Sequence, residues 1–117
     1  MNRYNYTNSI EYKKYCVKEL LKIKKLNLLK EVYKRLSILK KLFDYKKELN
    51  EYYNLDITLA KYMPEFYANK IYDHIKYKST YKINELPIST LTNLLFYTNK
   101  AINIINKQID DLYYNLI

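Results

Sequence analysis

Glycine is absent from the 117-residue chain. Phosphate-binding loops, dinucleotide turns, nucleophile elbows and calcium loops use glycine where the backbone turns left-handed or closes on a ligand. None of these can be written here in recognisable form. Tryptophan is also absent, and there is one cysteine, Cys16, and one histidine, His74. A single thiol excludes an intramolecular disulfide and predicts a reducing compartment. One Cys and one His cannot close a structural zinc site. No apolar run approaches the ~20 residues that cross a bilayer. The opening Met-Asn-Arg-Tyr-Asn-Tyr-Thr has no apolar stretch of the kind a secretory signal carries. The expected setting is intracellular, nuclear or cytoplasmic, without membrane contact.

Catalytic groupings are equally sparse. Asp73 and His74 are neighbours in sequence and therefore point to different sides of a helix, which excludes a dyad. Ser37-Ile-Leu-Lys40 and Ser79-Thr-Tyr-Lys82 match a Ser-x-x-Lys pattern, but a lysine-rich chain produces that by chance. Asp110 and Asp111 read as solubilising charges. His74 reads as a packed or boundary residue beside Tyr67 and Ile71, and Cys16 as a small core residue. The chain is expected to be no enzyme and to carry no cofactor or metal.

Lysine and tyrosine are what the chain has in excess. Lysines outnumber arginines nineteen to two, and there are 16 tyrosines. AT-rich coding DNA produces this composition, since Gly, Pro, Ala and most Arg codons are GC-rich. The charge is also uneven. Residues 1–50 hold fourteen Lys/Arg against five Asp/Glu, whereas 51–117 hold seven of each. The sequence reads as one helical domain, 1–117, with a basic half (1–53) and a neutral half (54–117). A basic half invites a polyanion, and a neutral one a protein partner.

The spacing predicts an all-α fold: a single small bundle of four to five helices with a long C-terminal amphipathic helix. Asn8 or Ser9 is placed to cap a first helix, with Glu11 completing a capping box. Val17, Leu20, Leu21 and Leu28 form its apolar stripe, and Asn27 either breaks it or lies within a longer helix. Leu29, Val32, Leu36, Leu39 and Phe43 follow at helical spacing, with Ile38, Leu42, Tyr45, Leu49 and Tyr52 beside them. A short segment capped by Asp56 runs to Tyr62. Pro64 then opens a helix over about 65–77, and 78–86 reads as a loop ended by Pro87.

The last helix carries Ile88, Leu91, Leu95, Thr98, Ile102, Ile105, Ile109, Leu112 and Leu116, in unbroken steps of three and four. Leu94, Ala101 and Ile104 widen this seam. The seam suits either the core of the chain's own bundle or a protein partner.

Lys14, Lys18, Lys22 and Lys25 share one helical face, and Lys30, Lys34 and Lys41 make a second row. Such rows suit phosphates of DNA or RNA, and Tyr12, Tyr15 and Tyr33 suit stacking on unpaired bases. Lysines lack the bidentate fork of arginine, so base-specific readout is not expected. The other explanation of the rows is a solvated face in a codon-biased chain.

Several short patches resemble the smaller stalk subunit of archaeal and eukaryotic RNA polymerases. They are Leu28-Leu29-Lys30-Glu31-Val32, then Thr58-Leu59 with Tyr62 and Phe66, then Leu91-Thr92-Asn93-Leu94 with Thr98 and Ile104-Ile105. Ile109-Asp110-Asp111-Leu112 through Leu116 is similar to that family's closing acidic-aliphatic helix. Two features depart from it: no proline-containing connector follows the paired aliphatics, and the chain is basic where the family is often acidic. The resemblance implies a non-catalytic role, pairing with a larger stalk subunit and supporting initiation and transcript binding.

The expected function is that of a non-catalytic helical subunit or accessory factor of a nucleic-acid machinery, most like that stalk subunit in transcription. The alternatives are a basic DNA- or RNA-binding protein of an AT-rich virus or plasmid, and a viral helical protein-interaction module.

Overall fold

The computed structural model describes the backbone of residues 2–49, 55–78 and 80–116. Among them are five helices and no strand: α1 Asn2–Leu49, α2 Leu55–Leu59, α3 Glu65–Tyr77, α4 Thr80–Asn84 and α5 Ile88–Leu116. The molecule measures 76 × 23 × 20 Å. Its length is that of α1, because 48 residues at ~1.5 Å each span ~72 Å.

One helix this long forms because nothing in its sequence stops it. Residues 2–49 contain neither Gly nor Pro, the two residues that interrupt helices most strongly. Asn27 lies inside the helix and does not break it. Asn8 and Ser9 are likewise internal, since the helix begins at Asn2; neither caps it. Residues 50–54, with Tyr52 of the second apolar row, lie outside the described residues.

The body of the fold is the pairing of α5 with the second half of α1. Tyr33 Oη donates to Asn84 Oδ1 just before α5, and Lys46 Nζ donates to Gln108 Oε1 within it. Both chains advance between these two contacts, so α1 and α5 run parallel. A parallel pair needs a return crossing, and α2, α3 and α4 supply it. Counting back from Lys46–Gln108 puts the start of α5 level with about Leu26.

The apolar core follows from that pairing. Val32, Leu36 and Leu39 of α1 are buried with Leu91, Leu94, Ala101, Ile102, Ile105 and Ile109 of α5. Leu55 and Leu59 of α2 join them, as do Ala68, Ile71 and Ile75 of α3 and Ile83 of α4. The seam of α5 is therefore covered within the chain, and Ile88, Leu95 and Leu112 line its partly exposed edges. Thr98, its one polar member, is fully buried and donates to the Leu94 carbonyl at 2.7 Å, so its hydroxyl is satisfied inside its own helix.

The prolines act as the sequence predicts at both helix starts. Pro64 precedes α3, and its carbonyl accepts from the Tyr67 and Ala68 amides at 3.0 and 3.2 Å. The Pro87 carbonyl accepts from Leu91 N–H at 2.9 Å at the start of α5. Two expectations need correcting. The segment 80–84, read as loop, forms the single-turn α4. Asp56 sits in the first turn of α2, not before it, and α2 ends at Leu59. At the end of α3, Lys78 takes φ 53° and its N–H reaches the His74 carbonyl at 2.8 Å. That left-handed closing position favours glycine, and a chain without glycine fills it with lysine.

Candidate functional site

Upstream of Leu28, α1 leaves the body. This arm, residues 2–27, projects ~39 Å at the helical rise. Its apolar side chains are uncovered: Ile10, Tyr12, Tyr15, Val17, Leu20, Leu21, Ile23 and Leu26 are all exposed. Val17, Leu20 and Leu21, the apolar stripe read from the sequence, are therefore uncovered. Cys16, expected in the core, is corrected: it sits half-exposed on the arm. The cause is geometric, because α5 begins level with about Leu26 and no other described element reaches past it.

The arm is basic on the very strip that downstream forms the core. Leu29, Val32, Leu36, Leu39, Phe43 and Lys46 alternate by three and four along the buried side of α1. Carried upstream in the same alternation, that strip reads Lys25, Lys22, Lys18. It turns from apolar to cationic where α5 stops. A further apolar helix in line with α5 would meet ammonium groups there, so the residues that end the core also begin the arm.

The seven candidate lysines do not form one site. Lys14, Lys18, Lys22 and Lys25 lie together on the arm, in line with the core strip. Lys30, Lys34 and Lys41 lie on the outer side of the packed half, roughly 150° away around the helix axis. All are exposed except the half-buried Lys25. A single strand lying along α1 can touch one row but not both. Lys22 also pairs with Glu19 at 3.2 Å, an exposed contact worth little. Of the interleaved tyrosines, Tyr12 and Tyr15 are on the arm. Tyr33 is in the body, half-buried, with its ring 5.4 Å from that of His74.

Burial lowers the pKa of two ionisable groups inside the body. Lys46 is only 5% exposed, and burial lowers its pKa to about 8. His74 is pushed down by burial too, and its Nδ1 has no hydrogen-bond partner among the described residues. Neither was read as special from the sequence, Lys46 least of all. The available signal was its position, seven residues after Leu39 on the same strip.

On the far side of the body, Phe66, Tyr67, Tyr97 and Phe96 form a run of ring contacts with centroids 5.1, 4.8 and 5.1 Å apart. Tyr67 Oη accepts from Asn93 Nδ2 at 3.1 Å. These contacts tie α3 to α5. No group of three or more His, Cys, Asp or Glu residues comes together among the described residues. No described helix is long and apolar enough to cross a membrane.

Seven residues of the patches that resemble the polymerase stalk subunit are core positions: Val32, Leu59, Leu91, Leu94, Thr98, Ile105 and Ile109 are all buried. Packing alone asks for such residues there. No family model, no curated protein and no solved structure matches the chain.

Proposed function

We propose that this protein is a non-catalytic helical subunit that docks onto a larger nucleic-acid-handling assembly, with the arm of α1 as its docking element. One observation carries the reading: the arm exposes eight large apolar side chains beside six lysines. Uncovered apolar strips along a helix mark interaction sites. The polymerase stalk subunit is the specific version of this reading, supported only by the sequence patches. The test is capture of the tagged full chain from its native cells after nuclease treatment. Stoichiometric recovery of subunits of a nucleic-acid enzyme is expected. Recovery of the chain alone refutes the reading.

A second reading has its own support. Lys14, Lys18, Lys22 and Lys25 form one row beside the exposed ring of Tyr15, an arrangement suited to direct contact with single-stranded DNA or RNA. In that case the protein binds the polyanion itself and needs no larger assembly.

A further inference from the structure

Two apolar strips run along opposite sides of the arm. One holds Ile10, Val17 and Leu21, and reaches Leu28 at the edge of the core. The other holds Tyr12, Leu20, Ile23 and Leu26. At ~100° per residue their centres lie roughly 145° apart. Lys14, Lys18, Lys22 and Lys25 fill one gap between them, and Lys13 and Lys24 the other. In cross-section the arm alternates apolar, basic, apolar, basic, with Glu11 inside the larger lysine row and Glu19 inside the second apolar strip.

We propose that the arm is gripped by an acidic partner polypeptide that lays one amphipathic helix on each apolar strip, its Asp and Glu side chains against the two lysine rows. This rests on the docking reading and names the partner's chemistry. A narrow apolar strip between charged rows is how one helix selects another of opposite flanking charge. The first strip also continues an interface already formed, since Leu28 is packed against the core. On it Ile10, Lys13, Lys14 and Val17 outline a shallow, mostly apolar groove, with lysine stems for walls and ammonium groups at the rim.

Charge and shape argue against the other occupants. A second copy would set six lysines against six, with two glutamates on each arm between residues 9 and 27 to offset them. A bilayer takes one apolar face per helix, and here lysines separate two. A nucleic acid strand would match the lysines but leave Ile10, Val17 and Leu21 against phosphates.

The probe is a synthetic 28-residue peptide with Leu at the a and d positions of each heptad and Glu at e and g, titrated into the full-length chain. Two peptides should bind per chain, with a gain of helical circular dichroism. V17E/L21E should remove one of the two, and L20E/I23E the other. Changing Lys18, Lys22 and Lys25 to Glu should weaken binding at least tenfold. These positions lie outside the core, so thermal unfolding of each variant should match the parent. The proposal is overturned by no binding, by one peptide per chain, or by equal binding of a peptide with Lys at e and g. Displacement of the Glu peptide by a 20-nucleotide oligouridine overturns it in favour of nucleic acid. Self-association abolished by V17E/L21E overturns it in favour of a second copy. If native capture yields a subunit while the Glu peptide is refused, this inference alone fails. If the chain takes two peptides but purifies alone, the docking reading fails instead.

Discussion

Lys46 of α1 donates its ammonium hydrogen bond to Gln108 of α5 inside the strip that otherwise joins the two helices through apolar side chains. Burial lowers its pKa from 10.5 to about 8. Below pH 8 both folded and unfolded chains carry this charge, and the fold bears the cost of burying it. Between 8 and 10.5 the unfolded chain binds more protons, so stability rises with pH. Urea midpoints should increase from pH 7.0 to 9.5. Tyr33, whose phenol is raised by burial, titrates above that window. Lys46→Met should abolish the rise and be more stable at pH 7. Equal slopes in the two proteins would show that Lys46 is hydrated.

His74 should govern the acid side. Its pKa is lowered by burial, so the unfolded chain takes up the proton first as pH falls through 6.5. Stability present at pH 7 is then lost below that point. Thermal midpoints should drop between pH 7.0 and 5.5, above the range where most carboxylates titrate. His74→Phe keeps an aromatic ring beside Tyr33 and should remove this part of the drop. An unchanged drop would assign it to other groups.

The α5 seam should dominate stability. Ile105 is fully buried, and Ile105→Ala should cost about 2–5 kcal/mol. Asn103→Ala and Lys107→Ala, on the exposed side, should change stability by no more than about 0.5 kcal/mol. Similar urea midpoints for all three would mean that α5 presents a different face to the body.

Lys78 closes α3 in the left-handed region at φ 53°. A side chain there costs ~1–2 kcal/mol relative to a right-handed conformation, and glycine avoids that cost. Lys78→Gly should therefore stabilise the protein by roughly 1 kcal/mol despite the added freedom of the unfolded chain. The measurement is again the urea midpoint. A loss of stability would mean that the exposed Lys78 side chain makes contacts worth more than the backbone gain.

If the arm contacts nucleic acid directly, single-stranded DNA or RNA should bind with a logarithmic salt slope near −0.7 per lysine, about −3 for Lys14, Lys18, Lys22 and Lys25. Changing all four to Gln should flatten the slope without altering the thermal midpoint. Charge reversal at Asp56 and Glu65 should leave it unchanged. A slope that persists in the four-Gln protein would move any contact elsewhere.

The sequence was most legible where a local residue decides the backbone. Pro64 and Pro87 mark the beginnings of α3 and α5, and the alternation from Ile88 to Ile109 identifies the face that α5 buries. It was least legible along α1. Asn27 has too small an effect on helix stability to end a helix supported on both sides. The spacing of Val17, Leu20 and Leu21 shows a stripe but not burial, which needs something opposite, and α5 starts too late to provide it. The single turn of α4 is too short for any periodicity to show. The change of the α1 strip from Lys25 to Leu29 was on the page, since the alternation from Lys18 to Phe43 never slips. It meant little until the place where α5 begins was known.

The parallel pairing of α1 with α5 governs the order of events during synthesis. Residues 29–46 of α1 emerge about sixty positions before their partners from Leu91 to Ile109. Until then the apolar strip of α1 has little beyond α3 to pack against, and the intervening chain must close as one large loop. Over those sixty positions the nascent chain therefore carries α1 with its apolar strip largely uncovered. Truncation of α5 before Ile109 removes part of the main surface that covers that strip, so a prematurely ended chain is a substrate for chaperones and proteases rather than a smaller folded protein.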